Sequence, residues 1–186
     1  MHHYSVKNGT MEFTTGFTNL YAQMTCNAGG KFVVGDECGS QLGGSGAYTL
    51  ITVKENAECY FGGYVTLRMI KATNNAGGKF TLNPNGAIVL PTSMNGASFF
   101  SNSGSFAIPS GAKFSGTGSV NGSVEFRQLA GTMTLGGDLV KDATAKSVSM
   151  SFILSGGTLQ ATDDAAITGF DSVTMAEDAS ATVSVA

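Results

Sequence analysis

Apolar residues stand singly and in alternation with polar ones along most of this chain. In "GAKFSGTGSVNGSVEF" (111–126), Phe114, Val120, Val124 and Phe126 are set among Gly, Ser, Thr and Asn. A Gly-containing turn followed by apolar-x-apolar recurs as "NAGGKFTL" (75–82), "NSGSFAI" (102–108), "LAGTMTL" (129–135) and "LSGGTLQA" (154–161). The leading apolar residues of these phrases, Phe80, Phe106, Met133 and Leu159, are separated by 26, 27 and 26 residues. Two further series keep that step: Ile88, Phe114, Val140 and Ile167 at 26, 26 and 27, and Phe100, Phe126 and Phe152 at 26 and 26. Val124, Met150 and Met175 run beside the last series at 26 and 25.

Period-two alternation predicts short strands, and a shared longer period predicts a stack of repeated units. Three strands of four or five residues and three corners fill one unit of about 26 residues. If the backbone coils with that pitch, equivalent strands lie about 4.8 Å apart as parallel ladders. Each unit then buries its few inward side chains only against its neighbours. The predicted fold is therefore all-β, a parallel β-helix (β-solenoid) with three short strands per turn. Gly and Asn suit the corners because they tolerate positive φ. The Asn-Gly pairs at 8–9, 85–86, 95–96 and 121–122 fit that role, although they equally suit antiparallel hairpins and a β-sandwich.

The chain is expected to form a single solenoid domain, 1–186, with irregular turns over 1–74 and regular turns over 75–186. It is also expected to be a fragment of a longer repetitive chain. In the irregular part, Met11 to Phe32 is only 21 residues, and Phe32 to Phe80 is 48, roughly two turns. "GDECGSQLGGSG" (35–46) reads as an inserted loop. "ECYFGGYVTLRMIKA" (58–72) reads as two strands about Gly62-Gly63, and "DLVKDATAKSV" (138–148) is the best helix candidate.

Composition narrows the function classes. Hydrophobic residues make up 42% of the chain, which excludes an ordinary disordered segment. Net charge is −3 and the ten Lys and Arg are scattered, so the basic face that nucleic acid requires is missing. No apolar run approaches the roughly 18 residues of a membrane-spanning helix. Cys26, Cys38 and Cys59 form no Cys-x-x-Cys pair. They read either as buried small apolar residues or as one disulfide and one free thiol.

"SGAKFSGTGSVNGSVEF" followed by "LAGTMTLGGDL" resembles the passenger regions of bacterial autotransporters, and in particular the autotransporter-associated β-strand repeat. Residues 75–161 carry the resemblance well and 1–70 loosely. It implies a right-handed parallel β-helix, extracellular or on the bacterial cell surface, attached to the outer membrane through a segment not included here. It further implies a stalk, adhesin or matrix role, with host or matrix surface glycans or proteins as partners. The three cysteines depart from the family habit, which avoids that residue.

Candidate chemistry is sparse. The histidines are His2 and His3 alone, so a nucleophile–histidine constellation and a histidine zinc site both lack a base or ligand. No phosphate-binding loop, nucleophile elbow or dinucleotide fingerprint occurs. No catalytic, cofactor-binding or metal residue is assigned. Carboxylates offer the remaining route to catalysis. Asp138 and Asp164 are 26 residues apart, and Glu125 and Glu177 are two periods apart with Ser151 between them. Stacked acids about 5 Å apart serve some polysaccharide-cleaving enzymes, with Lys113 and Lys141 near enough in sequence to assist. The sequence thus favours a non-catalytic structural or adhesive solenoid that could stack end to end with further turns. The alternative is a glycan-active or glycan-binding β-helix, of lyase, hydrolase or phage tail-spike type, with Tyr48, Tyr60 and Tyr64 lining its groove.

Overall fold

The computed structural model describes residues 2–43, 48–90, 96–109, 112–115, 122–145, 147–162 and 165–185, excluding the side chains of 17–20, 177–179 and 185. Among them every regular element is a strand. The strands come in threes: β1 (His2–Val6), β2 (Gly9–Phe13) and β3 (Phe17–Leu20); β4 (Ala22–Cys26), β5 (Gly30–Val34) and β6 (Gly39–Leu42). Next come β7 (Thr49–Val53), β8 (Glu58–Phe61) and β9 (Tyr64–Leu67), then β10 (Ile70–Asn74), β11 (Lys79–Leu82) and β12 (Ile88–Val89). They are followed by β13 (Ala97–Asn102), β14 (Ser105–Ile108) and β15 (Lys113–Ser115), then β16 (Gly122–Gln128), β17 (Thr132–Leu135) and β18 (Leu139–Lys141). In the last repeats the first two strands fuse, giving β19 (Val148–Ala161), β20 (Ile167–Thr168) and β21 (Ser172–Val185).

All described pairings are parallel, and up to β16 each strand pairs with the third one after it. The first and second strands of the repeats form two rows that meet in β19 to make a 14-stranded sheet, with β21 added on β19. The third strands make a separate seven-stranded sheet. Antiparallel hairpins at Asn-Gly are not found among the described residues. Asn8 instead turns a corner between β1 and β2 at φ 52°.

Register places like on like. Phe80, Phe106, Met133 and Leu159 are successive partners, as are Phe100, Phe126 and Phe152. Phe100 and Phe126 stack with ring centroids 5.0 Å apart, and Phe126 and Phe152 at 6.5 Å. Such ring pairs add about 0.5–1.5 kcal/mol beyond the area they bury. Alternation is strict in β4, β5, β7 and β10, where every second residue is buried. These inward side chains make one continuous core.

Spacing differs between repeats, and most of the difference sits at the connection from each third strand to the next repeat. His2 pairs with Ala22, Gln23 with Leu50, Thr49 with Ile70 and Lys71 with Phe99, so early repeats alternate between short and long. Leu20 of β3 is followed almost at once by β4 at Ala22, whereas seven residues or so separate β12 from β13. The corner between first and second strands stays tight. There Asn8, Gly29, Asn56 and Gly77 all take positive φ, and the Gly29 and Asn56 N–H groups donate to the Asn56 and Gly77 carbonyls at 2.8 and 3.0 Å. The 21-residue step from Met11 to Phe32 is a genuine short repeat, since the two are partners.

Several expectations are corrected. Residues 35–46 are not simply a loop, because β6 lies within them. The 58–72 segment does hold the two expected strands, β8 and β9, about Gly62-Gly63, and in addition the start of β10, with Gly63 (φ 68°) at the corner between sheets. A Cβ on Gly63 would collide with the Cys38 carbonyl. The 138–148 stretch forms β18 and a turn, because Leu139 is needed in the core. Leu139, not Val140, is the inward residue there: it pairs with Ile167, while Val140 pairs with outward Lys113. Met175 pairs with Leu154 rather than Met150, because the last step shortens and Ser172 meets Ser151.

Candidate functional site

The outer faces carry the polar chemistry, and the strands arrange it in columns. On the second row, Lys31, Glu58 and Lys79 are successive partners. The Glu58 carboxylate sits between the two ammonium groups, at 3.4 Å from Lys31 Nζ and 3.3 Å from Lys79 Nζ. Burial alone would raise its pKa, but the two lysines outweigh that and hold it below the usual carboxylate range. With Gly29, Gly30 and Asn56 these side chains line a shallow depression of about 310 Å³. Two residues along β8, Tyr60 donates its hydroxyl to Asp36 and accepts from Asn83 Nδ2 at 3.0 Å.

A second charged group lies at the other end of the molecule. Lys113 Nζ is 2.8 Å from Asp142 Oδ2, and Lys141 Nζ is 2.8 Å from Asp171 Oδ2. Hydrogen bonds from Lys113 and Thr144 bring the Asp142 pKa down to about 2. Lys141 and the Met150 N–H likewise lower that of Asp171. Lys141 follows Phe114 in register and its side chain is only 9% exposed, so Asp171 neutralises an ammonium that is mostly out of water. Phe170, beside Asp171, packs its ring 6.4 Å from Phe114 and 6.3 Å from Phe126. The ion pair therefore pins the segment that delivers this ring to the core.

The carboxylates singled out in the sequence do not assemble as spacing suggested. Asp138 Oδ1 accepts the Ala166 N–H at 2.9 Å, and neither Lys113 nor Lys141 pairs with it. Asp164 lies outside the described residues. Glu125 pairs with Arg127 on its own strand, and Arg127 in turn lies 5.2 Å from the centroid of Phe99. The column through Glu125 continues to Ser151 and Ser172, so Glu177 is not its counterpart.

The three tyrosines also part company. Tyr64 is 62% exposed on the seven-stranded sheet, whereas Tyr60 is half-buried on the larger one. Tyr48 carries Lys71 Nζ 4.0 Å from its ring centroid. Cys26, Cys38 and Cys59 are buried free thiols, and burial pushes the Cys59 thiol well above its ordinary pKa.

Sequence reasoning missed a polar column inside the core. Asn74, Asn102 and Gln128 are register partners, all buried. Asn74 Nδ2 donates to Asn102 Oδ1 at 2.8 Å, and Asn102 Nδ2 donates to Gln128 Oε1 at 2.7 Å. The same amides reach corner carbonyls, including Ser105 O at 2.9 Å and Ala130 O at 2.7 Å. The signal was present in "TNNAGG", "SNSGS" and "RQLAG", where an amide residue precedes each glycine corner at the strand period.

Among the described residues no group of three or more His, Cys, Asp or Glu could hold a metal ion. No family model, curated protein or solved structure matches the chain.

Proposed function

We propose that this chain is a right-handed parallel β-helix serving as a non-catalytic structural or adhesive module, like an autotransporter passenger, at a bacterial surface or in the secreted matrix. The observation that carries the reading is the all-parallel pairing, in which each strand up to β16 pairs with the third one after it, which spends the sequence on a long ladder rather than on a cleft. The carboxylates of Glu58, Asp142 and Asp171 support it as well. Each is held below its ordinary pKa by a lysine, the opposite of what a general acid at neutral pH requires.

Surface glycans are the partner class best suited to the outer faces, and exposed Tyr64 is the side chain that favours them. A flat exposed ring stacks on sugar, and Thr66, two residues along β9 on the same face, offers a hydroxyl beside it. The test is to incubate the chain with neutral and acidic polysaccharides, measuring both retention and the release of new chain ends. Retention without cleavage is expected, with at least a several-fold loss for Tyr64→Ala. Cleavage that disappears in Asp138→Asn or Asp164→Asn would sink the non-catalytic reading.

A further inference from the structure

We infer that Cys26 and Cys59 form a disulfide when the chain folds under oxidising conditions, fastening the second repeat to the third while Cys38 stays a thiol. Register brings the pair together. Cys26 ends β4 in the inward column that runs Val6, Cys26, Val53, Asn74 and Asn102. The amides of this column lean across the corner onto the second strand of the following repeat. Asn74 Nδ2 donates to the Ser105 carbonyl of β14 at 2.9 Å, and Asn102 Nδ2 to the Thr132 carbonyl of β17 at 3.2 Å. Glu58, Lys79, Ser105 and Thr132 are successive partners, so the equivalent place for Cys26 is β8 at Glu58, one residue from Cys59.

The two thiols meet there. They hydrogen-bond to each other, and Cys26 also takes the N–H of Phe32, the residue paired with Cys59. Cys26 is 1% exposed and Cys59 0%, so both sulfurs are held inside the same core. Cys38 is placed apart. It lies at the corner leading to β6 in the seven-stranded sheet, and its Sγ donates to the Phe13 carbonyl at 3.3 Å. The odd number of cysteines therefore resolves into one cross-link and one thiol.

Because the closed stack covers both sulfurs, oxidation belongs to folding, before this corner closes. A low-molecular-weight disulfide is the oxidant. The thiolate of one cysteine attacks it and expels one small thiolate, leaving a mixed disulfide. The second cysteine gives up its proton, attacks the protein sulfur of that bond and expels the other small thiolate. In balance, two protein thiols lose two protons and two electrons, one S–S bond forms, and the small disulfide is reduced to two thiols. The cross-link constrains the unfolded chain over residues 26–59. It also secures the part of the column that has no amides, since Val53 and Cys26 precede Asn74 there.

The test is to unfold the full chain in reductant, refold it in glutathione buffer with the oxidised form in excess, and alkylate it under denaturing conditions. One alkylated thiol per chain is expected, with peptide mass mapping that joins Cys26 to Cys59 and places the label on Cys38. Cys38→Ala should cross-link fully and take no label, whereas Cys59→Ala should be labelled at both Cys26 and Cys38. The oxidised wild type should also unfold at a higher denaturant midpoint than the reduced chain, and Cys59→Ala should lose that difference. Where the Cys59 variant misfolds, the wild-type peptide map and Cys38→Ala decide. Three labelled thiols, a bond that includes Cys38, or glutathione retained on Cys26 would overturn the proposal. So would a chain that regains its strand circular dichroism only when reduced. The inference concerns the core and stands whether or not the outer faces hold glycans.

Discussion

Asn102 is the residue on which most depends locally. Its amide donates to Gln128, accepts from Asn74 and from the Gly104 N–H at 3.1 Å, and is 1% exposed. Replacing it by Leu keeps the volume roughly constant but leaves buried polar partners unpaired above and below, at about 1–3 kcal/mol each. Asn102→Leu is therefore expected to lower unfolding stability by about 2–4 kcal/mol in a denaturant titration, with Asn102→Gln losing less. At the surface, Asp142 has a folded pKa of about 2. Against an unfolded value of about 3.9, its contribution is present above that value and lost as pH falls through the folded one. Stability measured between roughly pH 4 and pH 2 should thus decline less steeply in Asp142→Asn than in the wild type.

At the scale of elements, strands and corners were legible to different degrees. The Phe100, Phe126 and Phe152 series and the Phe80 series could be read because a side chain wedged between neighbours must recur in register. Val140 misled because Leu139 beside it is equally apolar, and period-two alternation cannot be phased from a three-residue strand. β6, "GSQL", was hidden because only Leu42 in it is strongly apolar. The connection from each third strand to the next repeat varies in length without disturbing the ladders. Two or three residues added between Ala143 and Thr144 should therefore cost less than about 1 kcal/mol, loop closure being only weakly length-dependent. The same insertion at Gly62-Gly63, which packs against Asp36 and Cys38, should abolish cooperative unfolding.

For the whole molecule, the repeat period carried the parallel architecture, because a shared step in several series is possible only if the repeats stack. It did not carry a site. Asp138 and Asp164, like Glu125 and Glu177, have the right spacing for stacked acids, yet Asp138 meets the Ala166 N–H. The column through Glu125 passes Ser151 as spaced but then reaches Ser172, because the last step shortens. Ion pairing across strands, as in Lys31–Glu58–Lys79, was equally invisible, since it joins residues 27 and 21 apart in a region of irregular spacing.

A protein made of near-identical units faces a particular hazard: a unit can dock on the wrong neighbour and still satisfy its greasy interior. The amide triplet at 74, 102 and 128 guards against that error. It occurs at one height in the stack, bounded by Val53 on one side and Leu154 on the other. Threading off by a single unit would press an amide onto an aliphatic side chain and strand its partner, so correct assembly is distinguished from its closest competitor by hydrogen bonds that only one alignment can complete.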